Sequence, residues 1–182
     1  MRYNIHCEQL YDDEVWSELV KLLKKNGKKC YLFLMAPQPT YLKSDLGYRG
    51  TKEELVKKLK ARYAVLARVQ AKYKFKIGLH LHLSLFPHKL AEAEKDQAVK
   101  YVYNWINNFQ WKQKNVTGIS FGWFKYDKYV KELCRMNRLK IINDEWGAIT
   151  FHDYDLPLTT FKSFEKWLRV FLRKVKGQKP RV

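Results

Sequence analysis

The sequence predicts one α/β domain built on a largely parallel sheet, and three observations support this prediction. Short apolar runs alternate along the chain with amphipathic segments of helical length. The chain has 182 residues, which is enough for one sizeable core and short for two. Strands separated by helices of this length are joined by crossover connections, which place neighbouring strands parallel. The pattern leaves open whether the sheet is open or closed into a barrel.

The first half of the chain contains the clearest helix and strand signals. The run CYLFLM at 30–35 is apolar throughout, as is typical of a strand buried on both faces. Thr51 and Glu54 have the spacing of a capping box at the start of a long helix. Gly27 is expected to end the preceding helix as a C-terminal cap. The predicted elements are a strand at 3–7, a helix at 12–25, a strand at 30–35, a helix from 51 to about 73 and a strand at 75–85.

The second half of the chain continues the same alternation. Pro87 ends the strand before it, and an amphipathic helix closes the chain. We expect the domain to span 1–176, with a basic tail at 177–182. The predicted elements are a helix from about 90 to 109, a strand at 116–121, a helix at 125–137, a short strand at 139–142, a strand at 147–152 and a helix at 159–176.

Composition narrows the class of protein. The 36 Lys and Arg outnumber the 18 Asp and Glu, giving a net charge of +18, which favours an acidic partner such as nucleic acid. No nucleic-acid-binding motif accompanies this charge, and solvated helix faces explain many of the lysines. Three widely spaced cysteines do not form a disulfide framework, and the N-terminus lacks a secretory pattern. We therefore expect a cytoplasmic protein without a membrane partner. Neither a P-loop nor a GxGxxG sequence is present, which excludes the common nucleotide-binding folds.

Four of the five histidines fall at or near predicted strand ends, and His88 follows in a loop. The carboxyl ends of parallel strands meet at one edge of a sheet, where active sites lie. His80 and His82 share a strand face and can chelate one cation, although two polar residues on a partly exposed face would give the same pattern. Glu8 follows the first strand and completes a set of two histidines and one carboxylate, which is typical of a catalytic metal.

The segment GAITFHDYD carries a second chemical signal at the end of a strand. His152 has the side chain of a general acid that works near neutral pH, and Asp153 follows it as an orienting carboxylate. Asp155 is an alternative orienting group. Metal ligation by His152 also remains open at this point.

In order along the chain, these segments resemble the motifs of the polysaccharide deacetylase (NodB-homology) family. The two specific matches are KIGLHLH at 76–82, which is similar to the family's E-I-G-x-H strand, and ITFHD at 149–153, which is similar to its last His-Asp strand. IHCE at 5–8 stands where the family has paired acids, and SFGWFKY at 120–126 stands where it has an R-x-P pattern.

The resemblance implies a distorted, incompletely closed (β/α) barrel and a metal-dependent hydrolase of non-peptide C–N bonds. One divalent metal, zinc before other transition metals, would be held by Glu8, His80 and His82. His152 with Asp153 would protonate the leaving amine of an N-acetylated sugar or related small molecule. His6 stands near the place of the usual catalytic aspartate.

The resemblance also implies substrate contacts from the third and last motifs, for which we name Trp123, Tyr126 and Asp155. Ser84 stands where the family has its second histidine, so His82 or His88 must supply that ligand. The family's supporting arginine is missing from 120–126. Two other functions therefore stay open, a catalytically inactive family member and a basic module that binds nucleic acid or another polyanion.

Overall fold

A computed structural model of the chain describes residues 2–37, 48–83, 89–113, 116–142 and 148–156. The α/β class is confirmed, because strands and helices alternate along these residues. The strands are β1 (Arg2–Cys7), β2 (Cys30–Met35), β3 (Lys76–Leu81), β4 (Gly118–Phe121), β5 (Lys140–Ile141) and β6 (Ala148–His152). The helices are α1 (Asp13–Asn26), α2 (Lys52–Tyr73), α3 (Glu92–Asn107) and α4 (Lys128–Met136).

All six strands belong to one parallel sheet in the order β5-β4-β3-β2-β1-β6. The sheet is curled into a half-barrel, and within the described residues its end strands β5 and β6 do not pair with each other. The predicted incompletely closed (β/α) barrel is therefore confirmed. Because every strand runs in the same direction, all carboxyl ends lie at one edge and all amino ends at the opposite edge.

Local sequence signals explain where the helices begin. The Thr51 hydroxyl accepts a hydrogen bond from the Glu54 amide, and the Glu54 carboxylate accepts one from the Thr51 amide, so the predicted capping box is present. Asp12 caps α1 through the amides of Glu14 and Val15. Gly27 caps the end of α1 as predicted, with right-handed backbone angles. Its lack of a side chain serves another purpose, because a Cβ would lie 2.3 Å from the Tyr73 carbonyl oxygen.

Several element boundaries differ from the predicted ones. β3 ends at Leu81 and not at 85, because its last pairings are with Met35 on one side and Phe121 on the other. α4 begins three residues later than predicted, because a short 3-10 turn at Gly122–Phe124 precedes it and Asp127 provides the cap. His88, the predicted helix at 159–176 and the tail at 177–182 lie outside the described residues.

The core is apolar along most of the sheet, and a cluster of buried polar side chains lies at the carboxyl edge. Ile5, Leu32, Leu34 and Ile77 are among the fully buried strand residues. Buried polar side chains gather where β1, β3 and β4 end, and they are His6, Glu8, His80, His82 and Ser120. No helix among the described residues is both long and apolar enough to cross a membrane.

Candidate metal centre

The carboxylate of Glu8 lies at the centre of the polar cluster. Its Oε1 atom is 2.8 Å from Nε2 of His82 and 3.0 Å from Nε2 of His80. The two Nε2 atoms are themselves 2.8 Å apart, and all three side chains are buried. Such separations are those of adjacent ligands around one metal ion whose bonds are about 2.1 Å long. The structure thus brings together the three residues named as a ligand set.

The backbone fixes the orientation of the His80 ring. Its Nδ1 atom is 3.0 Å from the carbonyl oxygen of Ser120, which is the residue that pairs with His80 across β3 and β4. Burial lowers the pKa of His80, which keeps the ring neutral. The tautomer with its proton on Nδ1 donates to the Ser120 carbonyl and leaves the Nε2 lone pair for a metal, whereas the tautomer with its proton on Nε2 donates to Glu8. A ligating histidine commonly donates its second N–H to a backbone carbonyl in this way.

Glu8 provides negative charge in this buried cluster. Burial by itself raises the pKa of Glu8, but hydrogen bonds with His80 and His82 lower it, and the net result is a pKa well below its ordinary value. One carboxylate anion among imidazole nitrogens is a donor set that suits a divalent transition metal such as zinc. The residues present therefore fit the metal that the sequence predicts.

His6 lies beneath the same cluster. Its ring stacks on His80 with centroids 4.3 Å apart, and its Nε2 atom is 3.0 Å from Oγ of Ser120. One ligand atom each from His6, Glu8 and His80 lies within 4.8 Å of the others. Burial, reinforced by repulsion from His80 and His152, lowers the pKa of His6 to about 2. His6 is therefore a neutral ring and a further nitrogen donor near the centre.

The loop that carries Glu8 is held from two sides. The fully buried Asp153 accepts hydrogen bonds from the backbone amides of Glu8 and Gln9 at 2.9–3.1 Å. Burial raises the pKa of Asp153 well above its ordinary value, although these hydrogen bonds act in the opposite direction. Arg62 of α2 lies on the other side and donates to the carbonyls of Leu10 and Asp12. Glu8 consequently sits on a rigid segment.

His152 lies at the rim of the cluster, with its side chain one third exposed. Its Nε2 atom is 3.5 Å from Oε1 of Glu8, and its ring stacks on Tyr154 at 4.8 Å. Nδ1 is 3.9 Å from Oδ2 of Asp155, which also accepts a hydrogen bond from the His152 amide. Of the two orienting carboxylates that the sequence left open, Asp155 is thus the one beside Nδ1, while Asp153 holds the Glu8 loop.

Trp123 and Tyr126 were named as substrate contacts, and they occupy different positions. Trp123 is 57% exposed, has a left-handed backbone with φ of 51°, and lies 5.2 Å from the His82 ring. Tyr126 packs against Phe121, with ring centroids 5.2 Å apart. Next to Trp123, Gly122 allows His82 to approach, because a Cβ there would lie 1.9 Å from Nδ1 of His82.

Three residues of this site were not named from the sequence. They are Ser120, Gly122 and Arg62. Ser120 had a usable signal, since it is the polar residue of the otherwise apolar strand GISF. Gly122 and Arg62 had none, because their roles depend on close approaches between distant parts of the chain.

Comparison with known proteins finds solved structures with a similar fold but no matching sequence. No protein-family model and no curated protein sequence matches the chain. Among solved structures, it is similar to the CE4 domain of a multidomain xylanase from the hindgut metagenome of Trinervitermes trinervoides, with 10% identity and a TM-score of 0.58 over 100% of this chain and 92% of that one. It is also similar to a family 4 carbohydrate esterase from Streptomyces lividans in complex with acetate, with 11% identity and a TM-score of 0.57 over 93% and 87% of the two chains.

A third similar structure is a CE4 family pseudoenzyme from Bacillus anthracis. It has 11% identity and a TM-score of 0.56, and the match covers 91% of this chain and 60% of that one. At these identities the likeness concerns the fold, which agrees with the resemblance to NodB-type deacetylases found in the motifs. The curled six-stranded sheet and its helices thus give this chain the fold of the CE4 polysaccharide deacetylases.

Proposed function

We propose that this chain is a divergent member of the polysaccharide deacetylase family that uses one divalent metal to hydrolyse the amide of an N-acetylated carbohydrate or related small molecule. The observation that supports this proposal most is the convergence of Glu8, His80 and His82 within 3.0 Å of one another. They converge at the carboxyl edge of a half-barrel whose fold is that of carbohydrate esterases.

In this proposal, Glu8 Oε1 and the Nε2 atoms of His80 and His82 hold the metal. When bound, the metal supplies a Lewis acid that polarises the acyl carbonyl and makes water more acidic. Ser120 keeps the proton of His80 on Nδ1, so Nε2 stays available as a ligand. Asp153 and Arg62 keep Glu8 in position by fixing the backbone around it.

His152 is the group we assign to proton transfer. It lies between the buried cluster and solvent, with Nε2 towards Glu8 and Nδ1 towards Asp155. A protonated ring in this position donates from Nε2 to the leaving amine nitrogen, while Asp155 stabilises the positive charge. Trp123 lies beside His82 at the open side of the site, where its exposed indole provides a surface for a sugar ring.

A second candidate function is that of an inactive family member, and His6 is the observation that favours it. It stands where the resemblance puts the catalytic base, yet its pKa of about 2 makes it a weak base at neutral pH. One of the similar structures is itself a CE4 pseudoenzyme. His6→Asp would place a carboxylate at this position and separates the two candidates.

The first experiment is metal analysis of the purified protein. We expect about one equivalent of a divalent metal, retained on dialysis and lost in the variant His80→Ala/His82→Ala. His88→Ala is the matched control for the alternative second ligand, and it should retain the metal. A parent protein without stoichiometric metal would contradict the proposal.

The second experiment measures acetate released from N-acetylated chito-oligosaccharides, with and without a chelator. The proposed hydrolase releases acetate, and the chelator or His152→Ala abolishes release. A protein that binds metal and releases acetate only as His6→Asp is the inactive candidate. Metal binding without release by either form would refute the deacetylase assignment.

A further inference from the structure

The edge of the sheet opposite the metal centre is strongly basic. Each segment that leads from a helix into a strand lies at this edge, because the strands are parallel. The described segments 24–29, 72–76, 107–113, 116–117 and 135–140 contain no Asp or Glu. We call this surface the basic end and define it by six exposed cations, Arg2, Lys28, Lys74, Lys76, Lys112 and Lys140.

Helix electrostatics explain only part of this charge. Cations stabilise helix C-termini because they face the negative end of the helix dipole, which accounts for Lys24, Lys25 and Lys72. The same argument does not apply to cations at the starts of strands, such as Arg2, Lys76 and Lys140. The helix dipole therefore does not account for the cations at the starts of β1 and β3.

Many of the acidic residues in the described part of the chain lie at helix starts, away from the basic end. Asp12, Asp13 and Glu14 lie at the start of α1, and Glu53 and Glu54 lie in the first turn of α2. The starts of α3 and α4 are acidic as well, through Glu92, Glu94 and the cap Asp127. All these helix starts face the carboxyl edge of the sheet. Among the described residues, the helix starts thus carry acidic groups that the defined segments of the basic end lack.

The basic end contains a cleft of about 520 Å³, lined by Gln70, Lys74, Phe75, Lys112 and Gln113. The buried Gln70 donates to the Phe75 carbonyl and accepts from the Lys112 amide, at 3.2 and 2.9 Å. Gln113 donates to the Ile77 carbonyl at 3.0 Å. These bonds tie the loop after α3 to the start of β3, so the backbones of the two lysines are fixed on either side of a concave surface.

We propose that the basic end binds single-stranded nucleic acid, with the phosphate backbone along its lysines and a nucleotide in the cleft. A shallow cleft that combines flanking lysines with amide groups suits a phosphate–sugar chain. An anionic bilayer would be better matched by a flat surface with apolar side chains that insert into it. Of the large exposed hydrophobic residues in the described part of the chain, Met136 lies near this end, whereas Trp123 lies by the metal centre. This inference is independent of the proposed hydrolase.

The test uses a fluorescein-labelled oligouridylate of about 20 nucleotides and the full-length protein. The variant Lys28→Gln/Lys74→Gln/Lys112→Gln removes three cations from the basic end. The matched control Lys52→Gln/Lys89→Gln/Lys128→Gln removes three exposed cations near the starts of α2, α3 and α4, so both proteins have the same net charge. Thermal unfolding checks that both variants fold, and the three single variants replace the triple if it does not.

We expect salt-sensitive binding by the parent protein, weakened at least about tenfold in the first variant and less than about threefold in the control. The negative slope of log K against log salt should become less steep by about 2 in the first variant, since each of the three lost phosphate contacts contributes about 0.7 on a single strand. Equal weakening of both variants would overturn the proposal, because net charge alone would then explain binding. Absent or salt-insensitive binding would also overturn it, as would tighter binding to phosphatidylserine vesicles than to the oligonucleotide.

Discussion

The backbone nitrogen of Glu8 lies 3.0 Å from the Oδ1 atom of Asp153. This hydrogen bond joins the loop after β1 to the turn after β6, next to the last pair of the β1–β6 ladder, His6 with His152. Asp153 thereby holds the backbone of the central carboxylate without contacting a metal itself. Residues that orient ligands in this manner commonly affect metal affinity almost as much as the ligands do.

The first prediction concerns Asp153. Asp153→Ala leaves two buried amides without their acceptor, so the free energy of unfolding should fall by about 1–3 kcal/mol. Metal affinity should fall about 10- to 100-fold in Asp153→Ala. Asp153→Asn retains one acceptor oxygen, so its stability and its metal affinity should lie between those of the parent and of Asp153→Ala. Titration calorimetry with Zn²⁺ and chemical unfolding measure the two effects. Asp155→Asn is the control, and a folded Asp153→Ala protein with unchanged metal affinity would refute the positioning role.

The second prediction concerns Gly122. The added Cβ of Gly122→Ala would meet the His82 ring at 1.9 Å, so the ring must move and metal binding should weaken. The overpacking should cost about 1–3 kcal/mol of unfolding free energy. In the double variant Gly122→Ala/His82→Ala the ring is gone, and the alanine at 122 should cost much less than in the parent. An equal cost in both backgrounds would show that the contact with His82 is not the reason for glycine.

The third prediction separates the two contacts of Arg62. Arg62→Met removes the donor to the carbonyls of Leu10 and Asp12, and should cost about 2–3 kcal/mol, because a charged group makes these buried hydrogen bonds. Asp13 also pairs with Arg62, but its side chain is 82% exposed. Asp13→Asn should therefore cost less than about 0.5 kcal/mol in urea unfolding. A larger cost for Asp13→Asn than for Arg62→Met would contradict this assignment.

The fourth prediction is a pH dependence away from the metal centre. The hydrogen bond from Lys95, followed by that from the Val130 amide, holds the pKa of Asp127 below its ordinary value of 3.8. A lowered pKa in the folded protein means that the stabilisation is present above the unfolded pKa and is lost as the pH falls through the folded value. The free energy of unfolding of the parent should thus exceed that of Asp127→Asn by the full amount at pH 6. This difference should disappear in acid, as the pH falls below about 4.

A matched pair of variants separates the two functions of Asp127. Asn retains the helix cap of α4 but loses the ion pair, so Asp127→Asn should lower the free energy of unfolding by only about 0.3 kcal/mol. Asp127→Ala loses both and should cost about 1 kcal/mol more. A difference between parent and Asp127→Asn that grows as the pH falls would refute the sign of this prediction.

The fifth prediction concerns Trp123. A non-glycine residue with φ of 51° is strained, so Trp123→Gly should leave the melting temperature unchanged or raise it. If the indole is a surface for the substrate, the same variant should raise KM for the acetylated oligosaccharide more than it lowers kcat. Trp123→Phe, which retains an aromatic ring, is the control. A loss of stability in Trp123→Gly would instead indicate a structural role for the indole.

Most of the fold could be predicted from the sequence, because helix caps and apolar strand runs are signals between residues close together in the chain. Thr51 and Glu54 mark the start of α2 three residues apart, and the apolar run at 30–35 coincides with β2. The placement of Glu8, His80 and His82 at one edge followed from a single rule about parallel strands. Strand boundaries that depend on neighbouring strands were harder to predict. For example, β3 ends where its partner strands end, although its apolar alternation continues beyond that point.

The supporting groups could not be predicted, because each depends on residues far apart in the chain. Asp153 is 145 residues from the amide it holds, and Arg62 is 52 residues from the Leu10 carbonyl. Both bind backbone atoms, which carry no sequence signature. The sequence offered both Asp153 and Asp155 as groups that orient His152, and the structure puts Asp155 beside that ring.

The basic end has a consequence for how the whole molecule moves. Cations at the starts of strands and acidic groups at the starts of helices give the described part of the molecule a difference in charge along its strands. In the field of an extended polyanion the protein turns basic end first, before any contact forms. In the binding mode that we propose, the cluster around Glu8 would face away from the polymer, and a small molecule would reach it by free diffusion while the protein stays attached.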